Sequence, residues 1–190
     1  MVVMGIIVLL MGLLVGVLGG QPAGSARGVA TLVMQSLEEA RMSAIEGRQP
    51  VYFCVAGADD SNEDHRLRAY LLCRKQTAEE EPVPAKQQYV SLTSWEMLPQ
   101  GFYFDPADLE NATAELKAEG LPGKPGKVRV VEYDALGQMQ PAQSTGRPKL
   151  TITQAVLKPD GSLTYKNGRN ADVSIELFRY TGRVRLAQKS

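Results

Sequence analysis

The sequence predicts an α+β fold, with a long N-terminal helix, transmembrane in its first half, packed on an antiparallel β-sheet domain. Three observations predict it. Met1 to Ala26 carries no charged residue, apolar residues then recur at helical spacing as far as Ala44, and from Pro50 the periodicity becomes that of strands. The division expected is a helix over 1–46 and a β-rich globular domain over 47–190.

The stretch Val2 to Leu18 consists of Val, Ile, Leu, Met and Gly alone. As a helix it spans roughly 25 Å at about 1.5 Å per residue, near the hydrocarbon thickness of a bilayer. Its Val, Ile and Leu side chains, at roughly 0.4 kcal/mol each, favour insertion by about 5 kcal/mol with no buried charge to oppose them. Val2, Ile6, Leu10, Gly12, Gly16, Leu18 and Pro22 are the residues expected to carry membrane and helix–helix contacts. Gly12 and Gly16 form a GxxxG pair that permits close backbone approach between helices, although glycine is also common in membrane helices generally. A cleaved secretory signal and a buried core helix are the competing readings. The first wants a basic n-region, absent before this run, and the second is usually shorter or amphipathic. Charge does not orient the segment, since the nearest basic residue, Arg27, follows it.

After the apolar run, Gly19, Gly20, Pro22 and Gly24 interrupt the pattern, with Pro22 placed to kink the helix or end it. A second helical pattern begins at Ser25. Val29, Leu32, Val33, Leu37, Ala40 and Ala44 are expected on its inner face, Gln35, Glu38, Glu39, Arg41 and Glu46 on others, and Gly47 at its stop. A rod that becomes a one-faced helix without a long linker holds the following domain rigidly.

Strands are expected at Val51 to Val55, Arg66 to Arg74, Gln88 to Thr93, Gly101 to Phe104 and Lys127 to Tyr133. A short helix intervenes, capped by Asp105 with Pro106 at its first position, Leu109, Ala112 and Leu116 inward, and Gly120 past its end. Leu150 to Leu157 and Ser162 to Tyr165 flank the turn Pro159-Asp160-Gly161, and Val173, Ile175 and Leu177 alternate before a last hairpin at Thr181-Gly182. These add up to one antiparallel sheet backed by a helix. Glu79 to Pro84 and Leu121 to Gly126 read as loops. Lys plus Arg and Asp plus Glu both number 21, so no overall charge directs the chain to nucleic acid, and any such role must be local.

The run VVMGIIVLLMGLLVGVL, the following LVMQSLEEARMSAIEGRQPVYFCVAG, the middle WEMLPQGFYF (Trp95, Leu98, Pro99, Gly101), the KPDG turn and the terminal TGRVRL (Gly182, Arg183, Val184, Arg185) occur in an order that resembles prepilin-type subunits. The resemblance is to the H-type minor pseudopilins of type II secretion and to FimT-like minor pilins. It implies a pilin-like fold, a single-pass protein of the bacterial inner membrane with its domain in the periplasm, and other pseudopilins or pilins as partners through the N-terminal helix. Extraction into a filament would exchange lipid contacts for contacts with sister helices, keeping the apolar surface out of water. The family carries a basic leader ending in Gly, a Phe-like first mature residue and a Glu before the apolar run, and its members are processed and methylated there. None of these residues precedes the run here, so a start displaced into it is expected.

The periplasm implied by the resemblance permits disulfides. Cys54 and Cys73 fall in adjacent predicted strands on either side of the turn Asp59 to Asp64, and pairing them directly centres the hairpin near Glu63 and Asp64. That register puts Cys73 on the buried face with Leu67, Ala69 and Leu71. A bond closing this loop would add roughly 3 kcal/mol. Two buried thiols acting as small hydrophobes are the other reading.

No nucleophile elbow, HExxH or Walker pattern is present, and no catalytic residue, cofactor or small-molecule substrate is expected. His65 reads as a solvated loop residue. Asp59, Asp60, Glu63 and Asp64 lack the glycine-bearing spacing of a calcium loop, and no metal is expected. Asn111 opens an N-x-T sequon on a predicted helix and is set aside. The one local basic feature is the C-terminus, where Arg179, Arg183, Arg185 and Lys189 outnumber Asp172 and Glu176. In a strand over 183–186, Val184 and Leu186 point inward and Arg183 and Arg185 share the outer face. Two such guanidinium groups suit phosphates. The segment GRVR resembles the terminal GRxR of FimT-like minor pilins, which implies DNA as a partner; a charged edge strand protected from aggregation is the alternative.

Overall fold

The computed structural model describes residues 25–77, 89–117, 121, 127–140, 148–166 and 172–187. Its first element is helix α1, Ala26–Gly47, whose start is fixed by Ser25, the side chain of which accepts the Gly28 amide hydrogen at 3.1 Å. Val29, Ala30, Val33, Leu37, Ala40 and Ala44 are buried. The expected inner-face residue Leu32 is 46% exposed instead, because the buried stripe is narrow and Ala30 takes its place. The helix also runs through Gly47, and the left-handed position that ends it falls on Arg48 at φ 49°.

The strands are β1 (Val51–Ala56), β2 (Ala69–Lys75), β3 (Tyr89–Ser91), β4 (Glu96–Met97), β5 (Phe102–Phe104), β6 (Ala114–Lys117), β7 (Lys127–Tyr133), β8 (Lys149–Leu157), β9 (Leu163–Tyr165), β10 (Val173–Leu177) and β11 (Val184–Leu186). Helix α2, Pro106–Ala112, lies between β5 and β6. The expected α+β class holds, but the strands form two antiparallel sheets rather than one. The first has the order β3-β2-β1-β7-β6 with β4 beside β2, and the second the order β11-β10-β8-β5 with β9 beside β8.

α1 packs against both sheets, meeting β1 and β7 of the first and β8, β10 and β11 of the second. Full burial of Val29, Val33 and Leu37 contributes about 2 kcal/mol apiece. Phe53 stacks on Tyr70 at 5.4 Å between centroids, and Tyr70 meets the edge of Phe104 at 6.3 Å, so aromatic rings knit the first sheet to the second. β1 is buried along its whole length. Phe53 and Val55 face α1, whereas Tyr52 and Cys54 face a smaller core shared with Leu71, Cys73, Tyr89, Val128 and Val130.

Leu67 joins the sheets. Its amide hydrogen goes to the Ala56 carbonyl (3.2 Å), and its own carbonyl accepts from the Phe104 amide (2.8 Å). To do both it adopts φ 56°, a left-handed conformation that costs a non-glycine residue about 1 kcal/mol, offset by the two bonds and by complete burial.

Several expected elements differ. The strand expected from Arg66 starts at Ala69, because residues 61–68 are taken up by turns ending in left-handed Leu67. The helix capped by Asp105 stops at Ala112, and Leu116 lies on strand β6. Thr113, extended at φ −125° and ψ 160°, makes that switch. Gly120, the loop over 79–84 and the whole segment from Val2 to Pro22, Gly12 and Gly16 included, lie outside the described residues. Among the described residues no helix is long and apolar enough to cross a membrane.

Candidate functional site

The C-terminal hairpin is held to α1 by two polar side chains one helical turn apart. Val184 donates its amide hydrogen to Glu38 Oε1 at 3.3 Å, and Arg41 Nε donates to the Thr181 carbonyl at 3.0 Å. The two side chains also pair with each other at 3.4 Å. Tyr133, fully buried beneath them, has its phenol pushed far above the ordinary range, first by burial and then by the nearby Glu38 carboxylate.

Two turns close over the end of α1 at the same place. Gly137 (φ 73°) and Gly182 (φ 63°) both sit in left-handed conformations. A Cβ on Gly182 would come within 1.8 Å of the Gly137 carbonyl oxygen, and a Cβ on Gly137 within 2.7 Å of Ile45. The Met139 amide donates to the Arg179 carbonyl at 2.9 Å, tying the segment after β7 to the segment after β10. Glycine at both turns is therefore a requirement of close approach as well as of backbone angle.

The arginines predicted as a patch occupy different surroundings. Arg183 is exposed and precedes β11. Val184 and Leu186 pack on the main core, and Arg185 lies on the outer face. There Arg185 Nε is 2.8 Å from Glu176 Oε2, and its guanidinium lies 5.0 Å from the centre of the Phe178 ring. Tyr180, at the tip of the hairpin, is 89% exposed. Arg179 is at the start of the turn, and Lys189 lies outside the described residues.

The cysteines meet, but not by the expected register. Cys54 faces Leu71 and Cys73 faces Tyr52, so the two are diagonal neighbours on one face of the β1–β2 pair. The compact turns before Ala69 displace the register by two residues, which keeps both thiols on the same side. Their Sγ atoms are 3.2 Å apart as free thiols, both fully buried. Ala69, Leu71 and Cys73 alternate along β2 onto one buried face, as expected, whereas Leu67 precedes the strand and packs in the main core.

A polar network anchors α2 to the outer face of β8. Asp105 caps α2 through the Ala107 amide at 3.0 Å and accepts from the Tyr165 hydroxyl at 3.1 Å. The Thr151 hydroxyl donates to Asp108 at 2.5 Å, and that of Thr153 to Asp172 at 2.6 Å. A cavity of about 210 Å³ nearby is bordered by Leu67, Leu109, Glu110, Glu115 and Arg129. Arg129 pairs with Glu110 at 3.5 Å and with Glu115 at 3.8 Å on its rim, where Asp59 also lies. His65 lies against Trp95 with ring centres 5.5 Å apart, rather than standing free in solvent. Asp60 is buried, and among the described residues no group of acidic, His or Cys side chains is arranged to hold a metal ion.

The clamp residues Glu38 and Arg41 were not among those the sequence singled out, and their partners lie 146 and 140 residues away. Of this cluster only Gly182 carried a local signal, in the expected hairpin turn at Thr181-Gly182.

Neither protein-family models nor curated protein sequences match the chain. Among solved structures it is similar to the minor pseudopilin EpsH from the type 2 secretion system of Vibrio cholerae, with 14% identity, a TM-score of 0.47, and coverage of 86% of this chain and 96% of that one. It is also similar to the type IV minor pilin FimU of Pseudomonas aeruginosa. In the P21 crystal form the identity is 11% and the TM-score 0.45, with 86% of this chain and 88% of that one covered. In the P65 form the values are 11% and 0.44, with 85% and 92% covered.

Proposed function

We propose that the chain is a structural minor subunit of a type II secretion pseudopilus or a type IV pilus-like filament, held in the bacterial inner membrane by its N-terminal segment before assembly, with the β domain in the periplasm. The observation that carries this reading is the continuity of the uncharged run Val2 to Leu18 with a helix that both sheets clamp. Only Gly19 to Ser25 separate the run from α1, and α1 is seated along its length and locked at Glu38 and Arg41. A subunit pulled through its apolar segment needs its domain fixed firmly to the helix that follows that segment.

The exposed side of α1 supplies a surface for neighbours. Leu32 (46% exposed) and Met97 (49%) flank a groove with Gln35, Glu39 and Glu96 on its walls, a mixed surface suited to a sister subunit. The test is alkaline extraction of membranes combined with photocrosslinking from Gly12 and Leu32 in cells. The intact chain remaining in the membrane pellet and crosslinked to pilin-type subunits supports the reading. An intact chain free in the soluble fraction, or crosslinks to no such subunit, overturns it.

A DNA-binding minor pilin is the second reading, favoured by the exposure of Arg183, Arg185 and Tyr180 in one hairpin. Exposed cations and an exposed aromatic ring suit a phosphate backbone with stacked bases. The Glu176 carboxylate, 2.8 Å from Arg185, opposes it by occupying that guanidinium.

A further inference from the structure

We propose that Cys54 and Cys73 are the site of an intramolecular disulfide, installed before the β1–β2 pair is covered and sealed once the domain has folded. The two Sγ atoms already lie 3.2 Å apart on one face of adjacent strands, so bond formation asks for an approach of about 1.2 Å, within the reach of small side-chain rotations. Both residues are fully buried against Tyr52, Leu71, Tyr89 and Val130, which leaves no path for a reagent to either sulfur in the folded domain. Burial, and then the neighbouring Cys73 thiol, also push the Cys54 thiol well above its ordinary range, so the thiolate needed for exchange is scarce in the folded state.

The reaction is thiol–disulfide exchange with a disulfide donor, either a dithiol–disulfide oxidoreductase or oxidised glutathione. One cysteine thiolate attacks the donor's S–S bond to give a mixed disulfide, and the second cysteine displaces the donor. Two S–H bonds of the chain and the donor's S–S bond are lost, one S–S bond forms in the chain, and the two electrons and two protons given up leave with the donor as two thiols. The closed loop joins positions 19 residues apart, and it stiffens the strands that carry Phe53 and Tyr70 against α1.

The proposal goes beyond the filament reading and stands or falls apart from it. Full-length protein in detergent is unfolded in guanidinium, equilibrated with reduced and oxidised glutathione, returned to native buffer, and alkylated with iodoacetamide after a second unfolding. A parallel sample exported to an oxidising compartment is alkylated without reductant. The expected product in both is a chain lacking two hydrogens and free of carbamidomethyl groups, yielding a linked Cys54–Cys73 peptide. Dithiothreitol should then reduce the bond at least about 100-fold more slowly in the folded protein than in guanidinium, and reduction should lower the thermal midpoint by about 10 °C. Two carbamidomethyl groups, or glutathione adducts persisting on either cysteine, overturn the proposal. Equal reduction rates in folded and unfolded protein overturn the sealing.

Discussion

Glu38 on α1 accepts the amide hydrogen of Val184 on β11, so a helix carboxylate occupies a position on the open edge of the second sheet that another strand would otherwise fill. An outward-facing amide on an edge strand is a template for pairing with another chain, and a side chain from α1 blunts it here. The same carboxylate holds Arg41, which reaches the hairpin turn at Thr181.

Replacing Glu38 by Ala removes this acceptor and leaves the Val184 amide unpaired. We expect a loss of about 1.5 kcal/mol in guanidinium unfolding, whereas Glu38→Gln, which keeps an acceptor oxygen, should lose about 0.5 kcal/mol. Amide hydrogen exchange at Val184 should quicken in the alanine variant alone. Equal loss in both variants would show that charge rather than the edge bond matters.

Gly182→Ala and Gly101→Ala separate close approach from backbone angle. Both glycines have positive φ, 63° and 88°, but a Cβ at Gly101 meets nothing within 4 Å whereas one at Gly182 meets the Gly137 oxygen. The expected costs are about 3 kcal/mol at Gly182 and about 1 kcal/mol at Gly101, read from denaturation midpoints. Equal costs would mean that the two turns move apart freely.

Buried phenols make stability fall at high pH. Tyr70, buried and beside Glu96, is pushed up to about 12 from 10.0, with burial the larger cause. Tyr52 and Tyr133 move in the same direction. The folded state therefore holds protons that the unfolded chain releases. Stability is fully present below pH 10 and is lost as pH rises toward about 12. Urea midpoints across this range should decline, and Tyr70→Phe should flatten the decline in part. A midpoint constant over the range would contradict the burial of these hydroxyls.

For the arginine face, the paired substitutions Arg183→Ala and Arg185→Ala should abolish any retardation of duplex DNA, with the salt dependence of binding disappearing too. Glu176→Gln releases Arg185 and should tighten binding several-fold at low salt. Retardation unchanged by the double substitution, or none in the parent protein, defeats the DNA reading.

Local chemistry was legible where it was strong. Ser25 before an apolar stripe, Asp105-Pro106 before Leu109, and the alternation of Val173, Ile175 and Leu177 each specify an element without help from the rest of the chain. β6 was hidden because Leu116 continues the spacing of Leu109 and Ala112 at helical intervals, and only the extended backbone of Thr113 breaks it. The division into two sheets was hidden because β1 and β2 bury both faces and so lack the alternation that assigns sides. The cysteine register turned on Leu67, a left-handed leucine that no residue preference announces. The clamp was out of reach for a different reason, since Glu38 and Arg41 look like solvated helix residues until the hairpin arrives.

That late arrival has a consequence for biosynthesis. The ribosome releases α1 ahead of every described strand, yet β10 and β11, which finish its seat, come out after the rest of them. Until then Val33 and Leu37 lack part of their cover, so a polypeptide terminated early retains a greasy stripe that quality-control proteases read as unfinished.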